Sequence, residues 1–323
     1  MEISDKQTRL IQDGKILPFG IYHDLIDDVN TQFFDRQKLS LKRKTERKTW
    51  IFYGFYSKEI ICGFAIADAG VAATAFSYIF IPGENIFEED KITVPLGFKA
   101  NFNPDLYDTW VLKNYSIHSD KNKMFYETSN KKFSLNIRAN NNTNGFSVVA
   151  PSKDSRPFNF TYKNLMINSE VEIKYKDKTY TAKGKSGAID FTKGYPPRET
   201  MWNWLSFIGQ TESGKTIAAN IVDNFNDNLE NILYIDGKKS VLSKANFLYK
   251  KPLDKRTWNI NTLDNLLHLK VEPQGKRNED LNLLFMKSKF TQVFGTITGD
   301  VRIDGNLENF TAVGVTEEHF ALW

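Results

Sequence analysis

The chain has 323 residues, with 43 Lys and Arg against 39 Asp and Glu; a formal charge of +4 is small for this length and does not announce a nucleic-acid-binding protein, so no nucleic-acid partner is expected. A single cysteine excludes a disulfide framework and any multi-cysteine metal site. With 41% hydrophobic residues the chain can bury a sizeable core, and the 14% aromatic content, from 25 Phe, 13 Tyr and 6 Trp, is its one unusual number.

The N-terminal stretch is polar and lacks the basic-then-apolar pattern of a secretory signal, so a cytoplasmic location is expected. Residues 42–48, with Arg43, Lys44 and Arg47, read as a solvated basic approach to a first strand near Trp50, able to touch an anionic head group at a membrane surface. Residues 60–81 have the length of a membrane-spanning helix and one charge, Asp68. A carboxylate at that depth would cost about 3 kcal/mol, and Ala69-Gly70 reads as a turn. Two buried strands joined near Asp68 are therefore expected instead of an integral span, with Cys62 an inert thiol in their wall.

Further on, helical periodicity is scarce and period-two alternation recurs at Phe133, Leu135 and Ile137, at Val171, Ile173 and Tyr175, and at Ile297, Val301 and Ile303. Turn signals separate these runs at Asn144-Gly145, Asp236-Gly237 and Asp304-Gly305. The pattern predicts an all-β, antiparallel protein. Residues 140–154, rich in Asn, Ser and Lys, read as an exposed loop near a domain boundary, giving domains 1–155 and 156–323. A weak internal repeat agrees: Trp50 opens a strand whose hairpin partner ends at Asp68, and Trp204 opens one whose partner ends near Asp223.

Residues 209–216, Gly-Gln-Thr-Glu-Ser-Gly-Lys-Thr, match the phosphate-loop pattern G-x-x-x-x-G-K-[ST]. That motif binds nucleotide only between a strand and a helix, and the chain beyond Thr216 reads mostly as strands. An exposed β-turn with Ser213-Gly214 at its tip is the competing reading. No G-x-S-x-G nucleophile elbow and no GxGxxG occurs, so hydrolase and dehydrogenase readings have no motif behind them.

Trp50 with its basic approach, the run Phe64-Ala-Ile-Ala-Asp68, and above all residues 190–204 (Asp-Phe-Thr-Lys-Gly-Tyr-Pro-Pro-Arg-Glu-Thr-Met-Trp-Asn-Trp) resemble a bacterial family known only as a domain of unknown function, number 2804. So do residues 230–237 and the ending from Gly314 through His319 to Trp323. That family is distantly similar to the carotenoid hydratases and the survival-factor lipocalin-like proteins. The resemblance implies two tandem lipocalin-like, calycin-type antiparallel β-barrels. It also implies either storage of a lipid or isoprenoid or chemistry on an isoprenoid double bond.

The candidate catalytic residues are Asp190, Glu317 and His319, since carboxylates and an imidazole suit acid–base work. Asp190 lies between Ile189 and Phe191, so its carboxylate should face away from them; lining a barrel lumen it would be a proton donor, and paired with Arg198 it would pin the corner stiffened by Pro196-Pro197. Trp202 and Trp204 share one strand face, suited to stacking on a polyene, shielding a cation or filling a core. Arg198, Tyr195, Glu230, Asn231 and Trp50 complete the expected ligand contacts. Glu317 and His319 make only half a metal site, so no metal or cofactor is expected. The expected function is binding of a small hydrophobic ligand in a barrel cavity or at the domain interface. The alternatives are an acid-catalysed hydratase, isomerase or cyclase and, against the context, nucleotide binding. The aromatics are expected to concentrate in barrel interiors.

Overall fold

A computed structural model describes the chain except residues 1, 36–39, 96–104, 142–143, 284–285 and 323, and the side chains of residues 35, 40, 41, 44, 283 and 286. The terminal Trp323 and the Lys44 side chain therefore lie outside the described residues. The chain forms two compact units, Ile3–Pro197 and Arg198–Trp323. Each is a curled antiparallel sheet around its own apolar core, so the protein is all-β with two lipocalin-like barrel domains.

The N-terminal unit contains β1 (Lys48–Tyr56), β2 (Ile61–Asp68), β3 (Ala72–Ile81), β4 (Ile86–Pro95), β5 (Thr109–Leu112), β6 (Tyr115–Ser119), β7 (Lys123–Ser129), β8 (Phe133–Asn140), β9 (Phe146–Ala150), β10 (Asn159–Tyr175) and β11 (Lys178–Gly194). They run in the order β4-β3-β2-β1-β11-β10-β8-β7-β6-β5, with β9 against the first half of β10. Residues 61–81 are a hairpin of two buried strands, as Asp68 and the turn beside it predict. Asp68 Oδ1 accepts the Gly70 N–H at 2.8 Å, and burial pushes its carboxyl up against the pull of that bond and of Arg47 and Lys48. No helix among the described residues is long and apolar enough to cross a membrane.

Alternation sorts the faces. Tyr53, Phe55, Phe64, Trp110, Tyr115, Tyr126, Phe160 and Phe191 fill the barrel interior, whereas Trp50, Trp202 and Trp204, also expected inside a barrel, lie outside the apolar cores. Cys62 sits in that wall fully buried, and burial pushes its thiol up, which makes it inert.

The C-terminal unit contains β12 (Glu199–Thr211), β13 (Thr216–Asp223), β14 (Ile232–Ile235), β15 (Lys238–Val241), β16 (Ala245–Leu248), β17 (Trp258–Thr262), β18 (Leu267–Leu283), β19 (Met286–Ile303) and β20 (Asn306–Leu322), in the order β15-β14-β13-β12-β20-β19-β18-β17-β16. Asp236-Gly237 and Asp304-Gly305 take positive φ and close two-residue hairpins. The internal repeat is a repeat of topology. Thr49 faces Asp68 across β1–β2 and Asn203 faces Asp223 across β12–β13, and in each unit the first strand of that hairpin pairs on its other side with the unit's last long strand.

Three expectations are corrected. Strands β10 and β11, assigned from sequence to a second domain beginning at 156, are central strands of the first unit, because their length lets them bridge β1 and β8. The expected loop at 140–154 holds the wholly buried strand β9, so Asn144-Gly145 leads into a strand and closes no hairpin. The basic stretch is not a solvated patch: Arg43, Arg47 and Lys48 are buried. Lys48 Nζ donates to the carbonyls of Thr45 and Ala69, and the Arg43 guanidinium lies 5.6 Å over the Tyr195 ring. Three of its cations thus serve internal packing and not an anionic surface.

Candidate functional site

The phosphate-loop pattern folds as a hairpin turn. Its last residue, Thr216, begins β13, so a strand stands where the motif needs a helix to aim N–H groups at a phosphate. Lys215 Nζ is bound to Glu308 at 2.6 Å, and Lys215 with Ser213 holds the Glu308 carboxyl down at about 2. Thr216 gives its hydroxyl to Asp236. Gly209 is glycine because a Cβ there would stand 2.3 Å from the Thr311 carbonyl oxygen of the paired strand. The eight residues therefore make a structural turn and not a phosphate cradle. Millimolar ATP with magnesium is expected to leave the melting temperature unchanged in differential scanning fluorimetry, since only a ligand of the folded state would raise it.

Asp190 does face away from Ile189 and Phe191, but those two belong to the barrel core, so Asp190 points off the outer face and not into a lumen. Its ionic partner is Lys163, not Arg198. The antiparallel register sets Lys163 directly across from Asp190, and Nζ lies 2.6 Å from Oδ2 with the two side chains 5% and 15% exposed. Arg198 comes after β11 has ended and after the two prolines.

In the C-terminal unit the core face carries Leu205, Phe207, Val293 and Ile297. Trp202 and Trp204 share the opposite face, as period two requires, and so stand outside the barrel core and not in its lumen. On that face the register stacks Trp202, His319 and Phe290 across β12, β20 and β19, and one step along it stacks Trp204, Glu317, Gln292 and Arg277. The result is one connected cluster. His319 Nδ1 donates to Glu317 Oε1 at 3.1 Å, Gln292 Nε2 donates to Glu317 Oε2 at 3.0 Å, and Ser288 Oγ lies 3.1 Å from His319 Nε2. The imidazole is held between Trp202, 4.1 Å away, and Phe290, 5.0 Å away, by ring centroids. Phe225 abuts Trp202 at 5.4 Å, and the Arg277 guanidinium lies 4.6 Å over Phe290. His319 and Glu317 keep 14% and 10% of their side chains exposed.

A carboxylate accepts, so Glu317 places the imidazole proton on Nδ1 and leaves the Nε2 lone pair to receive the Ser288 hydroxyl proton. Chemically this is a base of fixed tautomer, oriented by a carboxylate and walled by aromatic rings.

The remaining candidates serve the scaffold where their contacts are visible. Asn231 Oδ1 accepts the Val222 N–H and its Nδ2 donates to the Ser243 carbonyl, so both ends of its amide are engaged by the scaffold. Glu230 is buried and accepts from Asn226, and Trp204 donates Nε1 to Asn220 at 2.9 Å. Tyr195 is fully buried in the N-terminal core, its hydroxyl on the Thr31 carbonyl. Trp50 lies on the outer face of β1, across from Thr192. Of this cluster the sequence named Glu317, His319 and Trp202 as candidates and did not name Ser288, Phe290, Gln292 or Arg277. The first three alternate on one strand, which marks a shared face; only the β19–β20 register, invisible in sequence, says that this face meets His319. Among the described residues no three His, Cys, Asp or Glu side chains gather to hold a metal ion.

A search of the curated proteins finds no match. Among solved structures, a candidate AttH from Nitrosomonas europaea superposes with a TM-score of 0.54 at 11% identity, over 84% of this chain and 91% of that one. Kievitone hydratase from Nectria haematococca does so with a TM-score of 0.53 at 11% identity, over 83% and 88%. At such identity these likenesses establish the fold. The family profile of the domain of unknown function DUF2804 matches residues 1–323 end to end, and the chain belongs to that family.

Proposed function

We propose that this protein binds a small hydrophobic ligand, a lipid or isoprenoid, in the cytoplasm, and that its C-terminal unit hydrates or isomerises a double bond in that ligand. The observation that carries the proposal is the Glu317–His319 pair clamped between Trp202 and Phe290. A base held this way removes a proton from water or from an allylic carbon, Glu317 stabilises the imidazolium that forms, and the same proton returns to the other alkene carbon. The first route adds water across a double bond polarised by a neighbouring carbonyl; the second shifts the double bond. The faces of Trp202 and Phe290 favour the positively charged ring and exclude bulk water. The likeness to a hydratase fold agrees with this reading.

The test is proton exchange in D2O against a panel of isoprenoid alkenes and conjugated enones, read by mass spectrometry, with lipid extraction of the purified protein alongside. Deuterium uptake that falls at least about 100-fold in His319→Gln, with the melting temperature kept, is the expected result. Uptake by no member of the panel, or by the variant at the wild-type rate, overturns the catalytic reading. If no apolar compound co-purifies and a fluorescent fatty acid fails to bind, the ligand reading falls.

A further inference from the structure

We propose that Ser288, His319 and Glu317 form a nucleophile–base–carboxylate array that hydrolyses small apolar carboxylic esters. The inference rests on the same hydrogen-bond chain but assigns it a different substrate class and a residue with no part in alkene chemistry. Three distances define it: Ser288 Oγ to His319 Nε2 is 3.1 Å, His319 Nδ1 to Glu317 Oε1 is 3.1 Å, and Gln292 fixes the second carboxylate oxygen at 3.0 Å. Such arrays arise on unrelated folds and are recognised by geometry and role, so the missing G-x-S-x-G says nothing against one built on two adjacent strands. Ser288 is partly exposed, whereas the groups that orient it are largely buried, as a nucleophile and its supports should be. Trp202, Phe225 and Phe290 offer the apolar wall that an acyl chain needs.

The step balances without a further reactant. Ser288 Oγ bonds to the ester carbonyl carbon as its proton passes to His319 Nε2. The tetrahedral intermediate collapses, the bond to the alcohol oxygen breaks, and that oxygen takes the proton from Nε2. Water then attacks the acyl-serine, giving its proton to Nε2 and from there to Ser288 Oγ as the carboxylic acid leaves. Ser288 lies within the β19 ladder, opposite Leu281 and Ala321, so its strand offers no loose pair of N–H groups for the oxyanion. The outer face of the sheet carries a buried cation beside the array, Arg277 over the Phe290 ring, and the oxyanion is left to that positive field and to solvent at the partly exposed Ser288.

The full chain is treated with diisopropyl fluorophosphate and mapped by peptide mass spectrometry, and p-nitrophenyl butyrate hydrolysis is followed in parallel. One adduct is expected, on Ser288. Ester turnover should fall at least about 100-fold in Ser288→Ala and in His319→Gln, and the double variant should be no slower than Ser288→Ala, because residues acting as a unit are not additive. A variant independent of ester turnover, Ser288→Cys, should be alkylated by iodoacetamide at least about tenfold faster with His319 present than in Ser288→Cys/His319→Gln, because the imidazole promotes thiolate formation. No adduct, an adduct elsewhere, or equal alkylation with and without His319 overturns the proposal. Absent labelling with intact alkene exchange removes this inference alone; labelling without alkene exchange removes the alkene reading alone.

Discussion

Lys163→Met is expected to destabilise the protein by about 3–5 kcal/mol, measured by urea denaturation, the range for removing one partner of a buried ion pair. The ammonium and the Asp190 carboxylate meet at 2.6 Å with 5% and 15% of their side chains exposed, in register on adjacent central strands. Asp190 Oδ1 is already buried without a hydrogen-bond partner, so the carboxylate depends heavily on Lys163. Removing the ammonium leaves a largely buried carboxylate that has lost its counter-charge. Replacing both residues by apolar ones, Lys163→Met with Asp190→Leu, should recover a large part of the loss, giving a coupling of about 2 kcal/mol or more in the double-mutant cycle. A loss below about 1 kcal/mol for Lys163→Met would mean that the pair does not hold the sheet, and would return Asp190 to the residues available for chemistry.

The fate of Asp190 shows what a sequence can and cannot convey. Its side chain's direction followed from strand alternation, because Ile189 and Phe191 must share the opposite face. Its partner did not follow, because that depends on pairing between β10 and β11 across a bulge at Met166, where one residue of slip would exchange every contact. The same divide runs through the C-terminal site. Glu317 and His319 are two apart and so declare their common face, but Ser288 and Gln292 join them only through the register of β19 with β20. The hairpin at 61–81 and the turns at Asp236-Gly237 and Asp304-Gly305 were legible because turn chemistry is local, although Asn144-Gly145 has the same spelling and closes no hairpin. The domain boundary was not: nothing in the composition of residues 159–194 says that these strands close the first sheet. The phosphate-loop pattern misled for a related reason. Its glycines answer to local demands, Gly209 to the close approach of Thr311 and Gly214 to a turn at φ +83°, and those demands coincide with a nucleotide motif by spelling alone.

Gly314→Val should have the largest effect of all, costing more than about 4 kcal/mol and preventing the C-terminal unit from folding stably. Gly314 lies at the centre of the sheet, opposite Phe207 of β12 on one side and Gly295 of β19 on the other. A Cβ at Gly314 would stand 2.2 Å from the Ser206 carbonyl oxygen and 2.7 Å from the Phe207 Cα; one at Gly295 would stand 2.3 Å from the Glu272 carbonyl oxygen. These neighbours are backbone in paired strands, so no side chain can swing aside. Relief requires that the strands part, with loss of ladder hydrogen bonds and of the packing of Phe207, Ile297 and Phe310 beneath. Paired glycines at this crossing let three long strands curl into a barrel. The contrast is Gly305→Ala, in an open turn at φ +84° with nothing within 4 Å, where strain of about 1–2 kcal/mol is all that is expected. Thermal denaturation with soluble yield compares the two, and a Gly314→Val protein that melts within a few degrees of wild type would show that the sheet can flatten there without cost.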